Sequence, residues 1–179
     1  DPQGNATMGS GIDKRKLARS VYQVLLNTSL PAQARQHSTA GGYDVLPANR
    51  DLAGAEIELV EVEQRETRLK VALQALTAEY DYILLDCPPS LTLLTLNAMA
   101  AADAVMVPLQ CEFFALEGLS QLMKTIELVR DKLNPSLEMQ GIVLTMFDKR
   151  NKLSDQVADD VRATLGEKVY ATVIPRNVR

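Results

Sequence analysis

Tryptophan is absent and aromatic residues make up only 4% of the chain, so its core has to be built from Leu, Val, Ile, Ala and Met. Such a core suits a parallel sheet flanked by helices. No apolar run approaches the roughly 20 residues needed to cross a bilayer, and no signal peptide is recognisable, which points to a cytoplasmic protein. The only cysteines, Cys87 and Cys111, lack the spacing of a zinc site or a Cys-x-x-Cys pair and read as buried free thiols. The single histidine, His37, lies in a polar loop with no companions for catalysis or metal binding. A net charge of −4 excludes a uniformly basic nucleic-acid binder, so any DNA contact must come from a local patch. The chain also lacks Gly-x-x-x-x-Gly-Lys-Ser/Thr, the loop whose backbone N–H groups and lysine cradle phosphates.

What is present is an alternation of strands and helices. With 179 residues and 46% hydrophobic content, the chain suits one domain over 1–179 with a sizeable core. Helical spacing predicts helices over 15–26 and 65–79, and a short strand at 43–47. From there the pattern is regular: strand 81–86, helix 91–101, strand 103–108, helix 115–133, strand 139–145, helix 153–165 and strand 168–174. Alternation of this kind means βαβ units and a parallel sheet.

The most informative stretch is Tyr80-Asp81-Tyr82-Ile83-Leu84-Leu85-Asp86-Cys87-Pro88-Pro89-Ser90. Four apolar residues without polar alternation fit a strand covered on both faces, and they run straight into Asp86 at the carboxyl edge. Open α/β sheets bind ligands at that edge. A carboxylate in that place can hold the magnesium of a bound nucleotide, or can simply be a surface aspartate ending a strand. Ser90 is a candidate cap for the next helix.

Further blocks stand in order around it. The chain opens Asp1-Pro2-Gln3-Gly4-Asn5-Ala6-Thr7. It continues through Leu52-Ala53-Gly54-Ala55-Glu56-Ile57-Glu58-Leu59 to Pro108-Leu109-Gln110-Cys111-Glu112-Phe113-Phe114-Ala115-Leu116-Glu117-Gly118-Leu119, and ends Val173-Ile174-Pro175-Arg176-Asn177-Val178-Arg179. With Asp86-Cys87-Pro88-Pro89-Ser90, these blocks closely resemble the ParA/Soj family of partition ATPases over essentially the whole chain. The resemblance implies a three-layer, parallel-sheet P-loop NTPase fold of the deviant Walker A, SIMIBI-like type. Family members carry a variant phosphate loop ahead of the segment matching Asp1, and a last helix beyond the segment matching Arg179. The chain is therefore expected to be a fragment truncated at both ends, inactive alone, with a sheet edge exposed where a strand is missing.

The resemblance also implies roles. Asp1 would lie beside the γ-phosphate of ATP and help position the attacking water, with Gly4 and Asn5 in a loop that changes conformation on hydrolysis. Asp86 would be the Walker B carboxylate, reaching Mg²⁺ through water. Pro108 and Glu112 would lie near the nucleotide and the dimer seam, and Met146, Phe147, Pro175 and Arg176 would line the adenine pocket. Phe113 and Phe114 read as packing residues. Arg150 and Arg179 match the basic residues with which the family binds DNA without sequence specificity, on an ATP-dependent homodimer. A ParB/Spo0J-like partner would stimulate hydrolysis, and the protein would be cytoplasmic and nucleoid-associated, with no membrane contact. The Lys14-Arg15-Lys16 run reads as a helix-start surface. Two other readings are a MinD-like cell-division ATPase, which needs a membrane-binding C-terminal helix, and a non-catalytic interaction module of the same fold.

Overall fold

The structure is a computed structural model that describes residues 1–177, so Val178 and Arg179 lie outside the described residues. It divides into two compact units, Asp1–Ala102 and Asp103–Arg179.

The first unit is mainly helical. Its elements are α1 (Asn5–Gly9), α2 (Val21–Leu25), α3 (Pro31–Ala34), an antiparallel pair β1 (Gln36–Ser38) and β2 (Tyr43–Val45), α4 (Leu52–Glu58), α5 (Arg68–Leu73) and α6 (Leu93–Ala101). Leu25, Leu52, Ala55, Leu59, Leu69, Leu73, Leu76, Leu94 and Ala98 form its core. A fully buried leucine such as Leu59 contributes about 2–3 kcal/mol. Helix α6 is buried almost all round and has no polar face. Its buried Asn97 is satisfied by three bonds: Nδ2 donates to the carbonyls of Arg65 and Leu93, and Oδ1 accepts from the Leu69 N–H. That amide ties α6 to the start of α5.

Several local expectations are corrected here. The helix predicted over 15–26 begins only at Val21, because Ser20 and Gln23 form a capping box that fixes the start. Beyond α5 the chain tightens into i→i−3 turns at Leu76 and Glu79, so the predicted 65–79 helix is shorter than its apolar spacing suggested. Thr92, not Ser90, is the N-cap residue of α6. His37 belongs to β1, where its Nδ1 lies 2.8 Å from Asp44 Oδ1 on β2, rather than to a loop.

The largest departure is the 81–86 strand. These residues join no ladder, and Tyr82 and Leu84 are 87% and 92% exposed. A strand apolar on both faces forms only with neighbours on its edges and cover on its faces, and no strand pairs with it among the described residues. Only its ends are anchored: Tyr80 and Leu85 pack against the first core. Cys87, next along, is exposed rather than buried for the same reason.

The second unit is the α/β part. Strands β3 (Ala104–Gln110), β4 (Glu138–Phe147) and β5 (Val169–Pro175) form a parallel sheet in the order β3-β4-β5, with α7 (Ala115–Lys132) and α8 (Lys152–Leu165) as the connecting helices. Pro108, which has no N–H to donate, sits on the edge strand β3, where a proline is tolerated. Helix α7 carries Glu117 in its first turn and Arg130 and Lys132 in its last, each matching the helix dipole. Asn151 caps α8 by accepting from the Leu153 N–H, and Val157, Ala158 and Val161 turn its apolar face to the sheet. No aromatic side chain is buried among the described residues, so both cores are aliphatic as composition required. No described helix is long and apolar enough to cross a membrane.

Candidate functional site

In the first unit, the opening loop and Asp86 meet. The backbone nitrogen of Asp1 donates to the Asp86 carbonyl at 2.9 Å. The two acidic residues therefore sit side by side although they are 85 positions apart. Asp86 is exposed and Asp1 half-buried.

The loop carrying Asp1 is held from several directions. Asp1 Oδ1 accepts the Gln3 N–H, and the Gly4 N–H closes a turn onto the Asp1 carbonyl. Gly4 is buried with φ +61°, and a Cβ there would meet the Ala48 carbonyl oxygen at 2.5 Å. Only glycine satisfies both constraints. Buried Thr7 then clamps Ala48 reciprocally: Oγ1 donates to the Ala48 carbonyl at 3.1 Å and accepts its N–H at 2.9 Å. Asn5 opens α1 and is exposed.

Lys14 belongs to this site and was missed at the level of sequence. Its Nζ donates to the Gln3 carbonyl, so it braces the loop instead of decorating a helix start. Its neighbour Arg15 forks onto Asp13. The only prior signal was that Asp-Lys-Arg occurs twice, at 13–15 and 148–150.

In the second unit, the carboxyl end of the sheet gathers another group. Glu112, Met146, Asp148 and Arg176 line a cavity of about 80 Å³ together with Cys111, Asn151, Leu153 and Ser154. Met146 has φ +52°, a strained conformation for a non-glycine residue, where the β4–β5 register shifts. Phe147 packs against the second core, and its carbonyl accepts the Arg176 N–H. Pro108 and Pro175 are exposed on β3 and β5 and do not line the cavity. A second cavity, of about 150 Å³, is lined by Phe113, Leu116, Leu153, Gln156, Val157 and Asp160. Both are well below the roughly 300–1,000 Å³ of a formed small-molecule pocket. Phe113 and Phe114 are exposed and stack edge to face on each other at 5.1 Å. The interior positions on either side of them are taken by Cys111 and Leu119, so these rings pack on each other at the surface.

Asp148 accepts three bonds from Arg150: Oδ1 takes the backbone N–H and Nε, and Oδ2 takes a guanidinium NH₂. That fork, aided by nearby Arg176, holds the Asp148 carboxyl down to about 2. Arg179 lies outside the described residues.

For magnesium, the fit rests on the donor set. Asp1 and Asp86, joined through their backbones, each carry a hard oxygen donor, and no group of three His, Cys, Asp or Glu among the described residues could hold a metal unaided. That suits Mg²⁺, which is usually bound by one or two carboxylates plus phosphates and water.

A family model described as an AAA domain matches residues 1–139. The chromosome partitioning protein ParA of Caulobacter vibrioides is 58% identical over 181 residues, covering all of this chain and 68% of that protein. The chain belongs to the ParA/Soj family. The sporulation initiation inhibitor protein Soj of Bacillus subtilis is 52% identical over 179 residues, covering all of the chain and 71% of that protein. A Mycobacterium smegmatis structure described as cobyrinic acid a,c-diamide synthase, with a bound ATP analog and magnesium, superposes with a TM-score of 0.92. It is 44% identical and covers all of this chain and 73% of its own. The fold is that of the P-loop ParA-type ATPases, in agreement with the α/β class expected from the alternation of strands and helices.

Proposed function

We propose that this chain is part of an ATP- and magnesium-dependent DNA-partitioning protein, carried by one observation: Asp1 bonds the backbone of Asp86, so the two lie side by side although 85 positions apart. Bound Mg²⁺ and nucleotide would supply charge neutralisation at the transferring phosphoryl group. Asp86 would orient the metal's water shell. Asp1 would hold the attacking water through one hydrogen bond, its carboxylate presented by the Gln3 N–H. The Gly4 turn, the Lys14 brace and the Thr7 clamp keep that carboxylate in place. Within the second unit, Met146 and Arg176 would be candidates to hold the base, and Glu112, which lines the same cavity, would lie near the nucleotide. The chain has no phosphate-cradling loop, so hydrolysis requires the additional length its relatives possess. The partition reading takes precedence over the synthase description, because relatives more than half identical to the chain carry partition or Soj names.

The protein would act in the cytoplasm on the nucleoid. An ATP-dependent homodimer would bind DNA through Arg150 and Arg179, and a ParB/Spo0J-like partner would trigger hydrolysis. Arginine contacts to phosphate make such binding steeply salt-dependent. The test uses protein extended to its relatives' length. Arg150→Ala should weaken ATP-dependent retention of random duplex DNA and flatten its salt slope by about one counterion per protomer, with ATP turnover unchanged. Normal retention in that variant would refute the DNA assignment.

A further inference from the structure

We propose that Asp148 masks Arg150, so that the exposed arginine is withheld from DNA phosphate until the carboxylate lets go. This rests on the reading of Arg150 as a DNA contact. The Arg150 side chain is 76% exposed, ideally placed to meet a backbone phosphate, whereas its partner Asp148 is only 21% exposed. The guanidinium is nevertheless committed. Two of its nitrogens donate to the two carboxylate oxygens at 3.0 and 2.9 Å, the same planar fork by which arginine recognises phosphate. A phosphate therefore competes for an occupied face.

The mask is written into the local sequence. Asp13-Lys14-Arg15 in the first unit forms the same arrangement, with Asp13 Oδ1 accepting the Arg15 backbone N–H and Nε, and Oδ2 accepting NH₂. Two identical tripeptides in different surroundings adopt one geometry, so the turn and fork arise from the tripeptide itself. An aspartate that bonds the backbone two residues on is a stable turn, and it delivers the arginine head to the carboxylate already oriented. The pairing is thus present in free protein. Because the guanidinium stays in solvent the pairing is weak, which lets a polyanion displace it.

The test is a double-mutant cycle on protein at its relatives' length loaded with Mg²⁺ and a non-hydrolysable ATP analogue, reading affinity for random-sequence duplex DNA by fluorescence anisotropy at fixed low salt. Asp148→Asn should raise affinity about fivefold, Arg150→Ala should lower it, and Asp148→Asn should add nothing once Arg150 is gone. An equal gain in the Arg150→Ala background would reduce the effect to general charge and overturn the mask. Unchanged affinity in Asp148→Asn, with Arg150→Ala still weakened, would overturn the mask and leave the arginine's role standing. No loss in Arg150→Ala would remove the DNA reading beneath both.

Discussion

Replacing Asp1 with alanine should lower ATP turnover about 10²–10⁴-fold in protein extended to its relatives' length, with nucleotide affinity little changed. Phosphoryl transfer depends on positioning more than on covalent chemistry. A water held by one carboxylate loses its orientation when that carboxylate is removed. The loop itself should survive: the Gly4 turn closes on the Asp1 backbone carbonyl, the Lys14 brace on the Gln3 carbonyl and the Thr7 clamp on Ala48, none of which uses the Asp1 side chain. Only the Gln3 N–H loses its partner, and it lies at an exposed position. A single-turnover assay separates the cases. Loss of the chemical step with normal binding supports the role of Asp1, and full turnover removes it from the mechanism.

Gly4→Ala should destabilise the first unit by about 2–5 kcal/mol, combining the cost of a left-handed backbone for a residue with a Cβ and that of overpacking. The new methyl would lie 2.5 Å from the Ala48 carbonyl oxygen and 2.9 Å from Lys14 Cδ. The lysine can swing aside, but the carbonyl is fixed by Thr7. Relief therefore requires the Asp1 loop to lift off, which breaks the Lys14 brace and separates Asp1 from Asp86. Chemical denaturation would show the loss directly. An unshifted midpoint would mean that the loop is not packed against Ala48 in solution. By contrast Gly9, with nothing within 4 Å of an added Cβ, provides the control position.

What the sequence revealed depended on how local the cause was. The second unit was legible almost to the residue: β3, β4 and β5 and the helices between them follow from apolar runs alternating with amphipathic stretches. Their neighbours are supplied within the same 77-residue span, 103–179. The first unit was harder. Leu52, Ala55 and Leu59 are buried at helical spacing, yet the sequence reading assigned no helix there. The 82–85 run had every mark of a strand and failed to become one, because ladder formation depends on partners elsewhere in the fold and not on the run itself. Of the residues expected at the site from their motifs, Asp1 and Gly4 share one turn and Asp1 bonds the Asp86 carbonyl. Glu112, Met146 and Arg176 share a second cavity. Phe147 could not be placed from its motif, since the positive φ at Met146 decides which side chain faces the core. Lys14 and Thr7 were invisible because a lysine reaching a distant carbonyl and a threonine clamping a distant peptide leave no pattern in one sequence.

The central claim is that the carboxylates of Asp1 and Asp86 serve one metal-bound nucleotide. It is tested most directly by substituting Mn²⁺ for Mg²⁺ in the ATP complex of protein at its relatives' length and following backbone amide signals by NMR. The account predicts that paramagnetic broadening removes the Asp1 and Asp86 resonances together, at one equivalent of metal. Broadening at Asp86 with a sharp Asp1 signal, or the reverse, would contradict it.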